Sequence, residues 1–140
     1  EAAVSIPLLH IADATAAAIK QAGCSRVGLL GTKFTMQQPF YRERLTELHG
    51  IEVLLPNEAE QDSLHQIIYQ ELCLGVITAE SKQAVRKMMA GLAWQGVDGI
   101  ILGCTEIGLL VGKADAAVPL FDTTAIHAQA AVSLALDATP

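Results

Sequence analysis

The chain holds 140 residues, 51% of them hydrophobic, enough for one well-filled domain with little left for a second. Its nine Lys and Arg are outnumbered by fifteen Asp and Glu, giving a net charge of −6 at pH 7, and no basic cluster is interleaved with aromatics. Nucleic acid and anionic membrane surfaces are thereby disfavoured as partners. The three cysteines, Cys24, Cys73 and Cys104, make no CxxC pair and no zinc-type Cys/His spacing. Reduced thiols in a cytoplasmic protein without a metal are the expectation.

No apolar run approaches the roughly 20 residues of a membrane-spanning helix. The opening "EAAVSIPLLH" lacks the charged start and long apolar core of a secretory signal, and it lacks an initiator Met. A processed chain or a fragment is expected.

In chain order, "SIPLLHI" (5–11) reads as a short buried strand with His10 at its end. Asp13 reads as the N-cap of "ATAAAIKQA", with Gly23 as terminator. "RVGLLG" (26–31) is a second apolar strand. "TMQQPFYRERLTEL" (35–48) reads as a helix, with Pro39 tolerable only in its first turn. "IEVLLP" (51–56) is a third strand, and helices follow at 63–75 and 81–96. "VDGIILGC" (97–104) is another strand, and a short one lies near 118–121. "TTAIHAQAAVSLAL" (123–136) closes the chain as an apolar helix, with Asp122, Thr123 and Thr124 as its cap. Strands apolar throughout and joined by helices define an α/β fold, a parallel sheet with helices on both faces. Ligands of such sheets bind beyond the carboxyl ends of the strands.

Two strand ends carry chemistry-bearing residues, "GTKFT" (31–35) and "GCTE" (103–106). In the second, a helical turn starting just after Cys104 would aim amide N–H groups at the thiol and lower its pKa. A thiolate there serves as nucleophile or general base. Thr105 offers a hydroxyl and an amide to a carboxylate. Glu106 could position an amine or support the turn. The bland alternative is a buried structural cysteine. In the first, Thr32 and Thr35 are candidates for an anion cradle, against an ordinary β–α turn with a threonine cap. Hydroxyls and a thiol without a basic cluster suit a small carboxylate better than a nucleotide. His49 and His65 read as surface helix positions, His127 as a residue near a helix start, and Cys24 and Cys73 as non-catalytic, in a turn and a helix. Met88, Met89 and Trp94 read as core or interface.

"VGLLGTKFTM" (27–36), "IIYQELCLG" (67–75), "GIILGCTEIGLL" (99–110) and "PLFDTTAIHAQAAV" (119–132), in that order, resemble the aspartate/glutamate racemase family, in particular its aspartate-racemase-like branch with broad-specificity bacterial members. The resemblance implies a cofactor-independent isomerase with two pseudo-symmetric α/β domains facing across a cleft. Two residues, usually cysteines, then act on opposite faces of the substrate α-carbon. One of them falls on Cys104, and substrate-binding threonines fall on Thr105 and on Thr32 or Thr35. The family's upstream motif, Cys or Thr followed by Asn-Thr, has no counterpart here. The expectation is one domain at 12–116, with 1–11 and 117–140 packed in the other domain. Such a chain would be impaired alone, and would self-associate or depend on the N-terminal half. A Lys found in some aspartate racemases near Cys73 is absent, which leaves the amino acid open. Alternatives are another thiol-dependent member of the superfamily (hydantoin racemase, maleate isomerase, malonate decarboxylase), an amino-acid-binding module without turnover, or a redox thiol protein. The last is disfavoured because no resolving cysteine lies near Cys104 in sequence.

Overall fold

The computed structural model describes the backbone of residues 2–137 and the side chains of 12–129 and 132. Four parallel strands form one sheet: β1 (Arg26–Leu30), β2 (Glu52–Leu54), β3 (Gly99–Leu102) and β4 (Leu120–Asp122), in the order β2-β1-β3-β4. The helices are α1 (Ala2–Gln21), α2 (Lys33–Gln37), α3 (Pro39–Glu43), α4 (Glu58–Gln70), α5 (Ala79–Trp94), α6 (Ile107–Leu110) and α7 (Thr123–Asp137). The α/β reading holds. β4 comes from segment 117–140, which the resemblance assigns to a second domain, and it is an edge strand of this sheet.

Strand alternation sorts side chains into two cores. Val27 and Leu29 of β1, Ile101 of β3 and Phe121 of β4 face a layer with Ala12, Ala16 and Ile19 of α1 and with Tyr41 and Leu45. Leu30, Ile100 and Leu102 face the other way, onto α4, α5 and α6 through Leu64, Ile68, Val85, Met89, Leu92, Ile107 and Leu110. α1 and α7 pack against each other.

Several local expectations are corrected. Residues 5–11 are not a strand but the first half of α1, so His10 lies within a helix rather than at a strand end. Local apolar character suits either structure. The continuation at Ala12, Ala16 and Ile19, all fully buried, is helical in spacing. Asp13 is therefore not an N-cap. It lies within α1, where its carboxylate takes two hydrogen bonds from Arg44, both 3.0 Å, and meets His49 Nε2 at 2.8 Å. These contacts hold its pKa down at about 2, the Arg44 bond contributing most. His49 is thus a half-buried partner rather than a free surface residue.

The helix expected over 35–48 is broken. α2 ends at Gln37, Pro39 opens α3 where its missing N–H costs nothing, and a π-helical turn, Arg44–Leu48, completes the segment. Cys24 is buried, with its thiol donating to the Asp98 carbonyl at 3.1 Å. Cys73 lies in a 3₁₀ turn, Leu72–Leu74, and is exposed. Among the described residues, no helix is long and apolar enough to cross a membrane.

Candidate active site

In this strand order the chain leaves β1 toward β2 on one side, and β3 enters on the other. The crevice between the carboxyl ends of β1 and β3 is the switch point where open α/β sheets bind ligands. Both strands stop at glycine there. A Cβ on Gly103 would lie 3.2 Å from the Leu30 carbonyl oxygen and from Thr35 Cγ2, and one on Gly31 would lie 3.3 Å from Thr35. A side chain at either position would press on Thr35, which fills the space between the two strand ends.

A cavity of about 330 Å³ opens beside this point. Phe34 and Thr35 of α2, Gln38, Tyr41 of α3, the Gly103 backbone, and Thr123, Thr124 and His127 of α7 line it. Thr123 is fixed by donating to the Leu102 carbonyl at 3.1 Å. Asp122 caps α7 by accepting the Thr124 and Ala125 amides at 2.9 and 3.2 Å, as the sequence pattern predicts. Tyr41 is buried, and its hydroxyl finds no hydrogen-bond partner among the described residues. Burial raises its pKa.

Of the five residues singled out in the two strand-end motifs, Thr35 lines this cavity. Thr32 is spent on structure. Its hydroxyl caps α2 by accepting the Thr35 amide at 3.2 Å, and it lies 3.0 Å from the Thr35 hydroxyl. Thr105 is exposed, with its hydroxyl 2.8 Å from that of Thr124, which joins the β3 end to the cavity wall. Cys104 turns its half-buried thiol to Glu106, donating to Oε2 at 2.8 Å, and packs against the core under α6.

That geometry reverses the expected effect on the thiol. The turn after Cys104 makes only the four-residue α6, starting at Ile107. Burial and the Glu106 carboxylate outweigh its amides, and the Cys104 pKa is pushed up to about 11. Glu106 moves the opposite way, lowered chiefly by the hydrogen bond it accepts from the thiol. At neutral pH the pair is therefore a protonated thiol beside an ionised carboxylate.

Gln38, Tyr41 and His127 were not singled out as ligand contacts by the sequence. The segment "DTTAIH" carried a weak signal, a capped helix start with a histidine one turn on, whereas α3 reaches the cavity through tertiary packing alone. Exposed Phe34 and Leu109 border the carboxyl ends of β1 and β3, and exposed Leu74 lies on the turn that packs against α6. Among the described residues, no group of three or more His, Cys, Asp or Glu is placed to hold a metal ion.

The profile of the family described as Asp/Glu/Hydantoin racemase matches residues 1–131. The chain belongs to that racemase family. A Yersinia pestis protein whose crystal structure was described as that of a candidate Asp/Glu racemase is 59% identical, with a TM-score of 0.88, over 91% of this chain and 56% of that one. An aspartate racemase homologue from Pyrococcus horikoshii OT3 is 39% identical, with a TM-score of 0.82, over 89% of this chain and 54% of that one. An uncharacterized protein in the pnlA 3′ region of Pectobacterium carotovorum subsp. carotovorum is 34% identical over 104 residues, 74% of this chain and 67% of its own. This racemase-family chain thus spans little more than half the length of the solved structures it matches.

Proposed function

We propose that this chain supplies one side of the active site of a cofactor-independent amino-acid racemase acting in the cytoplasm, with Cys104 as the proton-transferring group. The observation that carries this reading is the Cys104–Glu106 pair beside the switch-point cavity of a racemase-family sheet. The hydroxyls of Thr35, Thr124 and Thr105 cluster at the same strand ends and suit a substrate carboxylate.

In this reading Cys104 is an acid at rest. A base on the opposite face of the substrate breaks the α-carbon–hydrogen bond. Cys104, resting as the thiol, gives its proton to the other face of the resulting carbanion, and the centre inverts. The thiolate left behind faces the Glu106 carboxylate, and that repulsion makes it a strong base. A thiol with a pKa of about 11 gives up its proton rarely, but its conjugate base is better matched to an α-proton than an ordinary thiolate would be. In the reverse direction that thiolate takes the α-proton. The opposing base belongs to a second body, the N-terminal half or another copy. The exposed Phe34, Leu74 and Leu109 support such a body facing the carboxyl edge.

A specific observation also favours binding without turnover. The cavity is lined by the Gly103 backbone rather than by the Cys104 thiol, which lies protonated against the core.

Proton NMR in heavy water separates the two readings. L- and D-aspartate, glutamate and several neutral amino acids are incubated with this chain, with a longer protein containing the N-terminal half, and with Cys104→Ala. The racemase reading expects deuterium at the α-carbon from the longer protein, reduced at least a hundredfold by Cys104→Ala. Binding with no exchange in either length would leave a binding module.

A further inference from the structure

The wall of the cavity formed by α2 is held from behind by α4, and one of those holds depends on the protonation of a histidine. Three residues of α4 reach α2. Gln61 accepts from Gln37 at 3.2 Å, Asp62 pairs with the Lys33 ammonium at 2.6 Å, and His65 Nδ1 accepts the Lys33 backbone N–H at 3.0 Å. A backbone N–H can only donate, so Nδ1 carries no proton and the ring is the neutral Nε2–H tautomer. The ring is half-buried and covered on one side by Tyr69, with centroids 4.7 Å apart. The Lys33 amide belongs to the first turn of a helix, where N–H groups have no partner within the helix. Thr32 satisfies the Thr35 amide of the same turn and His65 satisfies that of Lys33.

We propose that His65 is a positioning residue, its bare Nδ1 holding the Thr32–Thr35 segment, and that protonation of the ring releases this segment. An imidazolium carries hydrogens on both nitrogens. It cannot accept from Lys33, and it would meet that backbone donor with like polarity. Asp62 and the more distant Glu58 are the acidic groups near Lys33. Asp62 is engaged with the ammonium. The residues freed include Phe34 and Thr35, both in the cavity wall. The consequence for substrate rests on the racemase reading, whereas the hold itself does not.

The test is nitrogen-15 NMR of the whole chain from pH 8 to pH 5, across the range in which imidazoles titrate. Ring nitrogen shifts of His65 are expected to show Nδ1 unprotonated at pH 8, with the Lys33 and Thr35 amide resonances moving along the His65 curve. In His65→Asn, whose side-chain oxygen takes the place of Nδ1 and accepts at every pH, those two amides are expected to stay put. An Nδ1–H tautomer at pH 8, or amides that ignore the His65 titration in the wild type, would overturn the proposal even if the variant failed to fold. In the longer protein, KM for the amino acid exchanged fastest is expected to rise about fivefold more in the wild type than in His65→Asn on going from pH 7.5 to pH 5.5, the weight of one hydrogen bond. An equal rise in both would refute the link to the site. No exchange at any pH, with the amides still coupled to His65, would sink the racemase reading and leave the positioning role intact.

Discussion

Replacing Glu106 with Gln keeps the size of the side chain and an acceptor oxygen near the Cys104 thiol, but removes the charge. The thiol stands about two units above the ordinary value of 9.0, with burial the largest cause and Glu106 the next. Glu106 acts on the thiol in both directions, its side-chain bond and charge raising the pKa and its backbone lowering it. With the charge gone and burial, the largest cause, left in place, Glu106→Gln should lower the pKa by roughly one unit and keep it above that of a free thiol. At pH 8 the thiolate fraction would rise from about one in a thousand to about one in a hundred. Alkylation would gain less, because nucleophilicity falls roughly threefold per unit of pKa, so the net acceleration is about threefold. A Cys73→Ser background removes the exposed thiol, and Cys24 is shielded by burial. Thiolate absorbance against pH gives the pKa directly, and iodoacetamide kinetics give the rate. A pKa that stays within a few tenths of a unit, or rises, would show that burial alone governs the thiol and that Glu106 has no electrical hold on it.

Asp13 offers a second test. Because folding depresses its pKa, its pairing stabilises the fold above the unfolded value of 3.8 and is lost as pH falls through about 2. The shift alone would correspond to about 2.4 kcal/mol, but the side chain is more than a third exposed and screening cuts this to about 1 kcal/mol. Asp13→Asn should cost that much in urea unfolding at pH 5, with the difference from wild type shrinking toward zero below pH 2. A pH-independent cost would assign the loss to packing instead. The two threonines of "GTKFT" should separate cleanly. Thr32→Ala removes a helix cap and should cost about 1 kcal/mol of stability, while Thr35→Val keeps the shape and should weaken substrate binding with little change in melting. Equal stability losses in both would remove Thr35 from the proposed site.

The sheet was legible because β1 and β3 are apolar on both faces and end in glycine, a pattern that only a strand covered on both sides needs. The strand ends drew the candidate site for the same reason, and a cavity opens beside them. α1 was misread because residues 5–11 are too few and too largely apolar for a period to distinguish strand from helix, and the buried Ala12, Ala16 and Ile19 that settle it lie beyond that window. The thiol's electrostatics were misread because a local rule about helix starts ignores how far the side chain sinks into the core. That depth is set by α4, α5 and α6 packing around it. Tyr41 and Gln38 reach the cavity only through the break at Pro39, and His127 only because α7 begins at the strand edge.

The pairing of β1 with β3 joins Val27 to Gly99, roughly seventy residues along the chain. A growing polypeptide can lay β2 against β1 early, but the inner edge of β1 stays open until the whole α4–α5 excursion has been made and has folded back. The crevice proposed to bind substrate does not exist before that late closure. Nascent chains stopped short of residue 102 would present an unpaired apolar strand edge, an invitation to pair with the wrong neighbour. Birth of the site and burial of that hazard are therefore one event in the life of the chain.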